Sequence, residues 1–173
     1  MVNSEDNLQM EHVFESERIF FVNVTTELLD DYLKMINDID RVARFIGHRT
    51  EPYTAEEEAA FIKSKIAENA PIFSMIEKDS GEFIGNIEFM DIKDGAAELG
   101  IAITAEKQGF GYGIESINRM LDYGFHTLAL NRVFLKVYPD NSRAVHVYEK
   151  CGFSEYDRTD EDIFMEIQKG GKI

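Results

Sequence analysis

Apolar residues fall in two rhythms along the chain. Arg18–Val24, RIFFVNV, is a short aromatic and β-branched run bounded by polar residues, and predicts a strand. Thr25 or Thr26 then caps a helix from about Glu27 to Asn37, with Leu28, Leu29, Leu33 and Ile36 on its apolar face. Pro52-Tyr53 interrupts the chain. Thr54-Ala55-Glu56-Glu57 follows as a capping box, in which threonine and the glutamate three residues on satisfy each other's main-chain N–H groups. It opens a second helix to about Asn69, with Ala59, Ile62 and Ile66 facing inward. Three strand-like runs come next: Pro71–Glu77, Glu82–Ile92 and Ala96–Ile103. The turn sequences Lys78-Asp79-Ser80-Gly81 and Lys93-Asp94-Gly95 join them into an antiparallel meander. Gly85, inside the second run, marks a bulge or a close backbone approach.

The second half alternates strand and helix. Ile114, Ile117, Leu121, Phe125 and Leu128 recur at helical spacing and predict a helix over about 114–128. Asn131–Tyr138 is a strand. Pro139-Asp140-Asn141-Ser142 ends it and caps a short helix to Cys151, with Gly152 at the position that favours a left-handed residue and Phe153 packing back. Ile163–Gln168 is a final strand. The sum is six or seven strands and about four helices. This is a mixed α+β (α/β) layering, a mixed but mostly antiparallel central sheet flanked by helices. No repeat or linker divides the chain, so residues 1–10 read as a flexible lead-in and 11–173 as one domain.

Composition narrows the classes. The chain has 173 residues, 44% of them hydrophobic, which supports a real core. No apolar run approaches a membrane span, and the acidic start MVNSEDNLQMEH lacks the basic-then-apolar pattern of a secretory signal. A cytoplasmic protein fits. One cysteine, Cys151, excludes an internal disulfide and a cysteine zinc cluster, and histidines 12, 48, 126 and 146 show no metal spacing, so no metal is expected. The net charge of −15 argues against nucleic-acid binding. That charge is uneven. Residues 1–60 carry 14 acids and five bases, whereas residues 104–143 carry four acids and five bases. The acidic part is either a solvated surface or an attractor of cations.

The chemistry sits at residues 103–114, ITAEKQGFGYGI. A strand ends, glycines alternate at 109, 111 and 113, and a helix begins. Helix-start N–H groups and the helix dipole favour an anion there, and glycines let it approach. The dinucleotide fingerprint fails in both registers, because Ile114 or Ser116 occupies the third glycine position, and no Gly-Lys-Ser/Thr follows. A glycine-rich turn without a ligand stays open on these residues alone.

The loop Gln108-Gly109-Phe110-Gly111-Tyr112-Gly113 resembles the Q/R-x-x-G-x-G/A loop of the GCN5-related N-acetyltransferases (GNAT superfamily). Glu98–Ile103 is similar to that family's preceding strand, Asn131-Arg132-Val133 to its next, and Asn141 through Phe153 to its N-x-x-A-x-x-x-Y-E-K-x-G-F signature. Ser16-Glu17-Arg18-Ile19 and the Gly85 strand look like the branch that acetylates ribosomal-protein N-termini or spermidine. The short acidic stretch 153–163 departs from the ribosomal branch.

The resemblance implies an N-acetyltransferase: a neutral amine attacks the thioester of acetyl-CoA directly, and CoA thiolate leaves. It implies that main-chain groups of Gln108, Gly109, Gly111, Tyr112 and Gly113 bind pyrophosphate. It further implies that Ile101 and Ile103 offer backbone to the pantetheine arm from a strand splayed away from the next. Asn141 caps its helix and hydrogen-bonds the same arm. Tyr148 is the expected acid for the leaving thiolate, although by periodicity it is a core tyrosine. Glu98 is the candidate base, directly or through water, or else a plain strand glutamate. The acidic half favours a cationic amine as acceptor. A non-catalytic acyl-CoA-binding module, an acidic interaction protein and a homodimer all stay open on the sequence.

Overall fold

The computed structural model describes residues 11–47 and 50–171, so the 1–10 lead-in lies outside the described residues. The strands are β1 (His12–Glu15), β2 (Ile19–Asn23), β3 (Ile72–Glu77), β4 (Phe83–Lys93), β5 (Ala96–Ile103), β6 (Arg132–Val137), β7 (Ser154–Arg158) and β8 (Ile163–Gln168). They form one sheet in the order β1-β2-β3-β4-β5-β6-β8-β7. Every neighbouring pair is antiparallel except β5 with β6. The mixed, mostly antiparallel sheet is as expected, but it has eight strands, not six or seven. The additions are β1 and β7 at the two edges. β7 is exposed throughout and the short β1 buries only Phe14, so no apolar alternation announces them.

The helices are α1 (Leu29–Ile36), α2 (Ala55–Ala67), α3 (Tyr112–His126) and α4 (Ser142–Lys150). One apolar cluster lies between the sheet and α3–α4, built on Ile117, Met120, Leu121 and Tyr148 against Ile87, Phe89, Leu99 and Val133. A smaller one lies under α1 and α2, built on Tyr32, Met35 and Ile62 against Ile72 and Phe83. The faces of α1 and α2 differ from expectation. In α1 the buried residues are Tyr32 and Met35, while Leu28, Leu29, Leu33 and Ile36 are half-buried. Tyr32 takes the core because its hydroxyl finds Ser74 on β3 at 2.6 Å. In α2 Ile62 is buried, but Ile66 is 51% exposed and Glu58 is buried instead. Burial pushes the Glu58 carboxyl above the usual carboxylate range. The Thr54 capping box is present in full.

The feature that makes a site is the register around β5. Along β4 it pairs over its whole length, from Lys93↔Ala96 to Gly85↔Ile103. Along β6 it pairs only at Ala96↔Arg132, Ala97↔Val133 and Glu98↔Phe134. Beyond Glu98 the two parallel strands splay. Gly85 explains the grip on the other side. Ile84 is an extra residue in β4, since Met75 faces Gly85 while Ile76 faces Phe83. A methyl group at Gly85 would lie 2.0 Å from the Ala102 carbonyl oxygen. Both readings of Gly85, bulge and close approach, therefore hold.

Candidate active site

The splay opens a cleft of about 550 Å³ whose walls are β5, the loop after it, the end of β6 and α4. Its main-chain lining follows from strand parity. Thr104 N–H donates to Ile84 on the β4 side at 2.9 Å, so the backbone groups of Ile101 and Ile103 point the other way, into the cleft. The Ile103 carbonyl accepts from Gln108 Nε2 at 3.0 Å. No strand pairs with Ile101 on that side among the described residues.

The glycine loop closes one end. Gly109 and Gly111 both have φ of +85°, which residues with side chains rarely adopt. Gly111 is the N-cap of α3 and offers no side chain to the first-turn N–H groups, which have no side-chain cap. Gly113 is helical, with ordinary space around it, so neither conformation nor packing requires a glycine there. Tyr112 contributes main chain alone. Its side chain is buried in the core and its hydroxyl donates to the Glu77 carboxylate. Lys107 is engaged too, by Glu77 at 2.8 Å and Glu82 at 2.5 Å. Two arginines that the local sequence did not mark reach the loop. Arg143 Nη1 donates to Gln108 Oε1 at 3.3 Å, and Arg18 Nη1 donates to the Phe110 carbonyl at 3.0 Å. The signal was out of reach of local reading, since these contacts span 35 and 92 residues.

Asn141 Oδ1 caps α4 by accepting from Ala144 N–H at 3.3 Å and lines the cleft. Tyr148 projects from α4 into the cleft wall, stacked edge-on against Phe153. Among the described residues its hydroxyl has no hydrogen-bond partner. Burial, with a smaller contribution from Cys151, pushes its phenol up to about 12. Cys151 is also buried, its thiol pushed up to about 11, and so is no nucleophile. Among the described residues no cluster could hold a metal, and His12, His126 and His146 are at the surface. His48 lies outside the described residues.

Glu98 does not line the cleft. It stands on β5 at the last paired position, on the face of Gly100 and Ala102, which is the α1–α2 side. Burial raises its carboxyl above the usual range, Lys136 draws it back, and Asp91 and Glu88 push it up again. Glu98 and Tyr148 thus belong to opposite faces of the sheet, with the splay between them.

The sequence matches the family described as "Acetyltransferase (GNAT) domain" over residues 18–154. The chain is a GNAT acetyltransferase. As such it uses acetyl-CoA to acetylate an amine. This GNAT chain is 37% identical over 118 residues to the spermidine N(1)-acetyltransferase of Vibrio cholerae, covering 66% of this chain and 68% of that one. A crystal structure of the Vibrio cholerae spermidine N-acetyltransferase with CoA and spermine superposes with a TM-score of 0.75 at 28% identity, covering 89% and 97%. A GNAT-family acetyltransferase from Bacillus anthracis shares the fold at a TM-score of 0.80 and 20% identity, covering 90% and 98%. No described helix of this acetyltransferase is long and apolar enough to cross a membrane.

Proposed function

We propose that the acceptor is a polyamine or a similar flexible polycation, and that Tyr148, Glu98 and the glycine loop divide the work of transfer. The observation that carries the division of labour is the one-sided grip on β5. Beyond Glu98 its β6-facing edge has no strand partner among the described residues, and the glycine loop and Tyr148 line the same cleft. Ile101 hydrogen-bonds the pantetheine arm as an added strand would. The main-chain N–H groups at 109–113 hold the pyrophosphate. Asn141, while capping α4, reaches the same arm. The Tyr148 phenol stays protonated at neutral pH and donates to the departing sulfur. Glu98, from the acceptor face, takes the amine proton through water.

The acidic first 60 residues support a cationic acceptor, because they supply α1 and the start of α2 on the Glu98 face. Glu88, Asp91 and Glu98 add carboxylates there, and Lys65 neutralises Glu88 at 2.8 Å. The relatives that act on spermidine support the same reading. The test is thiol release from acetyl-CoA across spermidine, spermine, an aminoglycoside, basic peptides and neutral amino acids. Spermidine and spermine are expected to lead, with kcat/KM falling as salt screens the acidic face. Equal turnover of a neutral amino acid at low salt would overturn the cationic acceptor.

Glu98 makes a separate expectation. A base works only when deprotonated, and this carboxyl is raised above its usual value. The acid limb of kcat therefore lies above the pH of an ordinary glutamate, and kcat falls as pH drops through it. Glu98→Gln should abolish that limb and lower kcat by about 100-fold. A variant that keeps both the limb and the rate removes Glu98 from the reaction.

A further inference from the structure

Arg18 lies outside the cleft, in the turn between β1 and β2, yet it is bonded to the loop. Its Nε meets the Glu115 carboxylate at 2.7 Å, and its own backbone N–H donates to the same carboxylate at 2.7 Å. Ser16 Oγ adds a third bond at 2.7 Å. Glu115 stands in the first turn of α3, so this carboxylate ties the hairpin to the helix start. Burial would raise Glu115, but these three donors outweigh it and hold it below the usual range. Its guanidinium also lies 4.5 Å over the Tyr112 ring. Nη1 then reaches the Phe110 carbonyl at 3.0 Å, and Nη2 lies 3.3 Å from where a methyl on Gly111 would be.

The bond to Phe110 matters because of peptide geometry. In a planar trans peptide the carbonyl of one residue and the N–H of the next point in opposite directions. Holding the Phe110 carbonyl toward Arg18 therefore aims the Gly111 N–H away from it, toward the cleft that Gly111 lines. Little else fixes this peptide. It lies between two glycines with φ of +85°, and the Phe110 side chain is 64% exposed.

We infer that Arg18 is a positioning residue for the cosubstrate: it sets the 110–111 peptide so that the Gly111 N–H faces the pyrophosphate. This rests on the loop holding the phosphates of acetyl-CoA. The defect of a variant should then be confined to the phosphate-bearing part of the substrate.

The test uses the full chain, with calorimetric binding of CoA and steady-state kinetics on acetyl-CoA and on S-acetylpantetheine, which has no pyrophosphate. Arg18→Gln should raise the CoA Kd and the acetyl-CoA KM about tenfold. The S-acetylpantetheine KM and kcat should change less than about twofold. Arg18→Lys keeps the charge near Glu115 but cannot form the fork, and should fall between. It carries the test if Arg18→Gln fails to fold. Arg119→Gln is the control. Arg119 ties the same hairpin to α3 through the Glu15 carbonyl at 2.8 Å, away from the loop, and its loss should leave CoA binding unchanged. An unchanged CoA Kd in both Arg18 variants overturns the inference, as does an equal rise of KM for both thioesters. Wild-type protein that binds CoA no better than pantetheine would instead sink the phosphate reading of the loop, and the inference with it.

Discussion

Tyr148→Phe should lower kcat by about 100-fold or more while the CoA Kd moves less than twofold. The ring would stay in place, since its packing against Phe153 and the α3–α4 core does not involve the hydroxyl. On the proposed mechanism, what is lost is a single donor to the departing sulfur. Burial already holds the phenol's affinity for its proton at about 12, so no part of the neutral-pH profile reports its ionisation. The wild type and the variant should differ by a constant factor from pH 6 to pH 9. Equal kcat values would leave Tyr148 as a core tyrosine, which is what its helical spacing alone suggests. Stopped-flow measurement of the acetyl-transfer step, alongside CoA titration, separates the two results.

Gly85→Ala is the second large effect, and it acts through shape. The added methyl would stand 2.0 Å from the Ala102 carbonyl oxygen and 2.9 Å from the Ile103 Cα, both main-chain atoms that cannot rotate away. Overpacking of this kind costs about 1–3 kcal/mol, and more when backbone must move. For a chain of this size the melting temperature should fall by roughly 5–10 °C. Because the methyl would push β5 toward the side where it has no strand partner, the acetyl-CoA KM should rise as well. Gly113→Ala provides the contrast, since its methyl would meet Ile103 and Val147 at 3.6 Å, an ordinary contact. A melting temperature for Gly85→Ala within about 1 °C of wild type would mean that β4 and β5 are not held as described.

The sequence was most legible where local chemistry and position coincide. The Thr54 capping box, the β3–β4–β5 meander, the Asn141 cap and the left-handed Gly152 are all present where their residues suggest. The alternating glycines between a strand and a helix drew attention to the loop, but only the resemblance to the family gave it a ligand. What escaped notice depends on distance or on solvent. β1 and β7 are the edge strands, and the core holds only Phe14 of β1 and no residue of β7, so neither shows alternation. The α1 face turns to Tyr32 and not to the leucines because Ser74, 42 residues away, supplies a partner for a phenol. Arg18 and Arg143 gain their roles only when remote segments meet at the loop. Nothing local signalled that the Tyr112 side chain lies in the core with its hydroxyl on Glu77, although the contact expected of Tyr112 was through main chain alone.

The three-residue contact between β5 and β6 also divides the protein along its sequence. In the sheet, the strands through Ile103 lie on one side of that seam and those from Arg132 onward on the other, with α3 between them in sequence. The residues proposed to face the acceptor come from the first segment and Tyr148, proposed to protonate the leaving sulfur, from the second, while Ile101 and the loop at 109–113 are proposed to bring the cosubstrate to the seam itself. A lineage could therefore exchange one amine for another by changing α1, α2 and the Glu98 face while inheriting its thioester machinery unaltered. Arg18, bonded to Phe110 and Glu115, ties the first segment to the loop and helix that link the two sides, and it marks where such drift would meet resistance.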